Sequence, residues 1–510
     1  MKLTRTLILG AAAALAGAEA RAADLPAKAK PIEYVKVCSL YGPGFYYIPG
    51  TDTCIKLGGY LRAWTTVRSN IQGYPADEGP GGAQNRFSNA YSWRAREALS
   101  IDTRTATEYG TVRTFFQAAF QWSDGNYSGQ GNGTSVYQSI GGVSAPNNAN
   151  PGAVAGGAMW FQDAFIQFAG FTIGKTLSQF SAPWADYPAN WYELVGSGGF
   201  EKVNQFTYTA DFGQGITASF SAQDQVQNYT TSIWNMGAAT AAGLAFGSYG
   251  GNDFAGTIAP DFVAMLRVDQ PWGLFQASFA AHDNHAAYYG ASEITGHPDD
   301  KWGWAGQLAL SIKNLPTGPG DTINIQGVYT DGASRYNFSS LNGTNFAMYG
   351  GTNLAGAYQS VGIAGVSDSV FVPGGGQELT KTFGFNGGFT HNWDRHWATS
   401  LYGALAAVRY NSTAKGYICG AFVTGLALSS GLAGCNPDFN YASIGTYTSW
   451  TPVKNLTFLA DVNYMMLDQK WASGSTVTLP LQSGIAKPGA VYELKNQNSL
   501  TMLLHAQRNW

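Results

Sequence analysis

A chain of 510 residues with 65 glycines, 28 tyrosines, 28 phenylalanines and 15 tryptophans, but only 12% charged residues, favours strands and turns over helical bundles. Its net charge of −3 excludes the electrostatic footprint of a nucleic-acid binder. Beyond the N-terminus no run approaches the roughly 18 uninterrupted apolar residues that a membrane helix needs.

Residues 1–22 read as a secretory signal. Lys2 and Arg5 supply the charged start, residues 7–18 the apolar centre, and Ala20-Arg21-Ala22 the small-x-small cleavage site. Cleavage after Ala22 removes Lys2, Arg5 and Arg21 with Glu19, and takes the net charge from −3 to −5. An exported chain with no second anchor is either free outside the inner membrane or sits in an outer membrane as strands. Its four cysteines suggest two disulfides. The spacing favours Cys38–Cys54 and Cys419–Cys435, each worth about 3 kcal/mol, although sequence alone permits three connectivities and leaves free thiols open. With no histidine near either pair, metal ligation is disfavoured.

The polar, proline-bearing start at 24–36 leads into a turn-rich aromatic cluster, CSLYGPGFYYIPGTDTC (38–54). From 55 to 68 the chain alternates: Ile55, Leu57, Leu61, Ala63 and Val67 take one side, and Lys56, Arg62 and Arg68 the other. Tyr60 and Trp64 share the cationic side, where they would pack under a loop or form stacking platforms for a sugar. After a Gly/Pro-rich loop, residues 94–104 resume the pattern, with Leu99, Ile101 and Thr103 opposite Arg94, Arg96, Asp102 and Arg104. Glu97 shares the side of Leu99, an awkward place for a carboxylate facing lipid, and suggests a bulge or a position beyond the hydrocarbon band. In residues 111–122, Val112, Phe116, Ala118, Phe120 and Trp122 oppose Arg113, Gln117 and Gln121. A Gly/Asn/Ser-rich stretch follows, then short runs at 161–168 and 171–176. Residues 177–200 break the alternation, with two prolines, two tryptophans and the acids Asp186 and Glu193. Paired runs then continue to the C-terminus, joined alternately by short Pro/Gly/Asn turns and long Gly/Asn/Ser-rich loops.

Counting all runs predicts about sixteen strands, with short turns at one end and long loops at the other. Hydrocarbon demands that every backbone group be paired, which permits only helices and closed sheets, and helical patterns are absent. The expected fold is therefore all-β: a transmembrane antiparallel β-barrel over residues 23–510, lipid outside and water inside, in a bacterial outer membrane. A soluble sandwich or β-helix fits the aromatic load and the terminal Trp510 less well.

The segments CSLYGPGFYYIPGTDTCIKLGGYLRAW (38–64), RTATEYGTVRTF (104–115), AFIQFAGFTIGKTLSQF (164–180), THNWDRHWATSLYGALAAVRYN (390–411) and SWTPVKNLTFLADVNYMML (449–467) resemble the alphaproteobacterial general porin family. The resemblance implies a homotrimeric pore for passive diffusion of small hydrophilic solutes and ions, with the third outer loop bent into the lumen. Here that loop corresponds to residues 177–200. The chain departs from the family in ending with Trp510 rather than Phe, and in its longer, Gly-rich outer loops.

The constellation that carries function is electrostatic. Lys56, Arg62, Arg68, Arg94, Arg96, Arg104 and Arg113 all have inward parity, and Asp186 and Glu193 lie on the proposed constriction loop. A basic wall facing an acidic loop would orient dipolar solutes and set ion preference; alternatively the arginines keep the lumen wet or brace Asp102 and loop carboxylates. His282, Asp283 and His285 lack a further ligand and read as a loop-mouth cluster without chemistry. His391 and His396 read as turn residues, and Trp393 and Trp397 as interface anchors. No GxSxG or HExxH motif occurs, so no catalytic residues, cofactor or metal are expected. A substrate-selective channel, and an adhesin or receptor acting through its long loops, are the rival readings.

Overall fold

The computed structural model describes residues 36–68, 83–86, 91–123, 153–154, 157–184, 187–192, 194–225, 230–339 and 343–510. The signal segment lies outside the described residues. Sixteen long strands follow in order. The first four are β1 (Cys54–Arg68), β2 (Tyr91–Thr107), β3 (Gly110–Ser123) and β4 (Gly157–Phe168). Next come β5 (Phe171–Leu177), β6 (Lys202–Asp211), β7 (Ile216–Gln223) and β8 (Asp261–Gln270). They are followed by β9 (Gly273–Asn284), β10 (Lys301–Lys313), β11 (Thr322–Asp331) and β12 (Lys381–Asn392). The last are β13 (Trp397–Arg409), β14 (Phe439–Val453), β15 (Leu456–Gln469) and β16 (Gln497–Asn509). Each pairs antiparallel with the next, and β16 returns to β1 with Tyr60 opposite Asn509, so the sheet closes and leaves no edge.

Alternation is kept round the barrel. On β1, Leu57 and Leu61 are about half exposed on the outer face while Trp64 and Thr66 are buried inside. Aromatic rings form two outer belts. Phe220, Phe262 and Trp302 stack toward the long-loop end, and Trp397, Trp450 and Phe458 toward the short-turn end, as at the two interfaces of a bilayer. Trp393 and Trp397 are exposed in the second belt, as expected of anchors. His396 is a turn residue bonded to the Thr451 carbonyl, whereas His391 is the penultimate residue of β12, bonded to Asp321.

Both expected disulfides are present, Cys38–Cys54 and Cys419–Cys435. The first ties an aromatic knot beside the start of β1, where Tyr41 and Phe45 lie against the Arg104 guanidinium.

The long loops depart from the Gly-rich coil their composition suggests. Residues 232–235, 251–252, 367–371 and 378–379 form one four-stranded sheet, and residues 345–350, 359–365, 476–479 and 490–494 another. The expectation of no helices is corrected by α1 (Ala241–Ala245) and α2 (Ser412–Leu426). Asn411 caps α2 by accepting from the Ala414 N–H, and Ile418 and Phe422 are buried in it. Trp234, Tyr249, Phe346, Tyr349, Phe422 and Tyr492 fill a common apolar core, so the loops form a folded cap with their own hydrophobic stabilisation.

At the opposite end, Asp321 binds the Asn392 N–H, Thr317 and His391 and ties two turns together. Burial works to raise its pKa, but the Asn392 N–H, the Thr317 hydroxyl and His391 outweigh it and hold it at about 2. A depressed carboxylate contributes stability above its unfolded pKa of about 4 and loses it as pH falls through its folded value. Thermal unfolding followed from pH 5 to pH 2 should show a loss between about 4 and 2 that is smaller in Asp321→Asn.

Candidate functional site

The described residues of the third outer loop, between 178 and 201, lie against the inside of the barrel. Inward side chains of successive strands hold it. Gln276 on β9 donates to the Phe180 and Ser181 carbonyls, and Gln307 on β10 to the Phe180 carbonyl. Asn324 on β11 donates to the Pro188 carbonyl, and Asn386 on β12 to that of Val195. Asp461 on β15 accepts from the Trp191 N–H at 2.8 Å and the Tyr402 hydroxyl at 2.6 Å. Glycines let the backbones touch. Gly196 has φ +94°, and a Cβ there would lie 2.4 Å from the Phe385 backbone; one on Gly388 would lie 2.4 Å from the Ala189 Cβ. The loop crosses to the opposite wall, where the Trp191 ring meets His505 on β16 and Arg62 on β1. Tyr192 and Trp64 share a small buried cluster with Leu459 and Leu503. Trp64 thus packs with the folded-in loop, the first of its two expected roles.

The cap fills much of the space above. Its core continues into the loop through Leu194 and Val195, and into the inward faces of β13 and β14 through Tyr402, Ala404, Ala406 and Phe439. Many inward residues of β9 to β15 are consequently covered: Gln276, Gln326, Asn386 and Asp461 are all at most 4% exposed. The wall of β1 to β3 is different. Arg62, Arg96, Arg104 and Arg113 are partly open, and Lys56 is exposed. Among the described inward side chains of β1, β2 and β3 the cations are Lys56, Arg62, Arg94, Arg96, Arg104 and Arg113, against the single acid Asp102.

Each of these guanidiniums is seated on a ring or a polar partner. Arg62 sits between the Tyr60 and Trp191 rings, 4.7 Å from each centroid, and donates to Gln507. Arg62, Arg94 and Arg96 surround Trp64 at 5.2–5.6 Å, with Arg94 buried and Arg96 donating to Gln121. Arg104 and Arg113 share Asp102 at 2.9 and 3.0 Å, so bracing accounts for part of their role. Arg68 is on β1, but its side chain lies outside the described residues, as do Asp186 and Glu193. The opposed acidic face therefore falls outside what is described.

His282 stands two residues from the loop end of β9, but it is fully buried beneath the cap, with Asp261 at 2.9 Å and Asp368 at 3.7 Å. Tyr336 donates to Asp261, and Asp368 accepts from the Thr231 and Ser334 N–H groups, so the cluster bolts cap to barrel. His285 pairs separately with Asp300. Among the described residues no group of His, Cys, Asp and Glu could hold a metal ion. Sequence reasoning passed over Asp461, Gln276, Gln307 and Asn386. Inward parity was their sole signal, and it does not separate a loop anchor from an ordinary lumen residue.

A closed sheet with an apolar belt outside and a basic, partly open inner wall defines a transmembrane β-barrel channel. The family model described as the Porin subfamily matches residues 23–503, and the chain belongs to that family. It is similar to porin Omp2a of Brucella ovis, 29% identical over 339 residues that make up 64% of this chain and 90% of that porin. It is also similar to porin Omp2b of Brucella suis biovar 1, 30% identical over 227 residues, 44% of this chain and 55% of the relative. Among solved structures, the outer membrane channel DcaP of Acinetobacter baumannii superposes with a TM-score of 0.56 at 14% identity, covering 91% of this chain and 99% of that one. The protein is an outer-membrane porin, as the resemblance implied.

Proposed function

We propose that small hydrophilic solutes and ions diffuse passively through a crescent between the β1–β3 wall and the third loop, and that anions are preferred. The third loop, residues 177–200 in the sequence reading, acts as the constriction. Lys56, Arg62, Arg96, Arg104 and Arg113 line the path, with Arg94 supporting them from beneath. The observation that carries the reading is the asymmetry of exposure: the open part of the inner wall is the arginine-bearing part. A cationic surface in a narrow water path concentrates anions and repels cations. The rings beneath the guanidiniums fix their positions without neutralising them. The outer belts contact lipid, and the working unit is a homotrimer, as the family resemblance implies.

Reconstitution into a planar bilayer tests the proposal. Stepwise openings grouped in threes are expected, with a reversal potential displaced toward the chloride equilibrium under a potassium chloride gradient. A cation-directed reversal potential would refute the anion preference. A silent membrane would instead favour an adhesin or receptor acting through the folded cap.

A further inference from the structure

Glu97 faces outward on β2, four residues below the exposed Trp93 and directly between Leu61 and Phe120 of the neighbouring strands. Lys175 faces outward on β5, opposite Ala164 and above the exposed Ile173. Both are half-buried, and neither has a hydrogen bond or ion pair among the described residues. A charge on a lipid-facing strand is destabilising at this depth. Two of opposite sign on one side of the barrel indicate that this side does not face lipid.

The barrel geometry relates them. The register carries Glu97 through Phe120 to Met159 on β4, whereas Lys175 pairs with Ala164, nearer the short turns. At a strand tilt near 40°, that offset is a descent of about 12 Å, while crossing three sloping hydrogen-bonded rows climbs about 10 Å. The two charges therefore stand at one height within a few ångströms, and about 20 Å apart round the girth. They are too distant to pair within one chain. In a cyclic assembly the contact is head-to-tail: one flank of a wall meets the other flank of the next copy, so equal heights on opposite flanks come together.

We infer that the outer face of β2–β5 is the contact surface for a second copy of this chain, and that Glu97 of one copy pairs there with Lys175 of the next. This rests on the trimer reading above. The pair would also fix the height at which copies dock, since apolar barrel walls can slide along one another.

The native protein allows a direct test. A zero-length carbodiimide applied to outer-membrane preparations should join the Glu97 and Lys175 peptides by an amide, detected by mass spectrometry in covalent dimers and trimers and absent from monomers. All four natural cysteines are in disulfides, so E97C/K175C adds the sole free thiols. Mild oxidation should give dimers and trimers from the double variant but neither from the single variants nor from L308C/L401C on the far wall. Glu97→Lys should lower the temperature at which the unheated oligomer dissociates in detergent, and Glu97→Lys/Lys175→Glu should restore it. A wild-type protein that runs as a monomer would overturn the trimer reading itself. An intact trimer without the Glu97–Lys175 amide, with self-linking of E97C, or with linking through L308C/L401C, would overturn this interface alone.

Discussion

Asp461→Ala should raise single-channel conductance and add slow fluctuations to the open current. Asp461 is fully buried and holds the middle of the third loop through the Trp191 N–H, while the Tyr402 hydroxyl occupies its other oxygen. Removing the carboxylate leaves the Trp191 N–H without its acceptor, which costs about 1–3 kcal/mol of loop docking, while the Tyr402 hydroxyl keeps Asn463 as a donor. At 1.4 kcal/mol per tenfold, the balance between seated and displaced loop moves by roughly 5- to 140-fold. The ends of the loop remain tied to Gln276 and Gln307 on one side and to Asn386 on the other, so the barrel should stay folded while residues 189–192 move. Tyr402→Phe keeps the Trp191 bond and should give a smaller change. An Asp461→Ala channel with wild-type conductance and noise would show that the seated loop does not limit flow.

What could be read from the chain alone follows the range of the forces involved. Side-chain alternation is a property of consecutive residues, so it placed Arg62 and Arg96 inside and Leu57 and Leu61 outside, and it marked Glu97 as misplaced in lipid. The disulfide partners were readable because each closes a short loop. The seating of the third loop was not: Trp191 and Asp461 are 270 residues apart, and Asn386 meets the Val195 carbonyl across 191. Nothing local distinguishes Asp461 from a lumen carboxylate in water. The cap was hidden for a different reason. Its strands are only a few residues long and interrupted by Gly and Pro, and its core rings come from three loops, Trp234 and Tyr249 from one and Phe346 and Phe422 from two others, so no single segment shows a buried face. The surroundings of His282 were hidden likewise, because Asp261 and Asp368 reach it from two other segments and Tyr336 reaches Asp261 from a third.

Replacing Arg62, Arg96 and Arg113 together by glutamine should move the reversal potential toward the cation equilibrium, with each single change contributing part of the shift. A unit charge 6 Å from a permeating ion in a water-filled path changes its energy by about 0.7 kcal/mol, near threefold in local concentration. Anions lose what cations gain, so each arginine contributes about tenfold to the selectivity ratio at low salt, falling as the Debye length shortens toward about 3 Å at 1 M. Arg113 shares Asp102 with Arg104, so its removal leaves that group as one cation facing one anion. Arg62 carries a second role, since its guanidinium lies on the Trp191 ring and supports the loop. Arg62→Gln should therefore alter both selectivity and conductance, whereas Arg96→Gln should alter selectivity at nearly constant conductance. Selectivity measured across a salt series separates the two: a charge effect shrinks with added salt, and a displaced loop does not. If the triple variant kept the wild-type reversal potential at low salt, the arginine wall would be structural bracing and the anion preference would have to be abandoned.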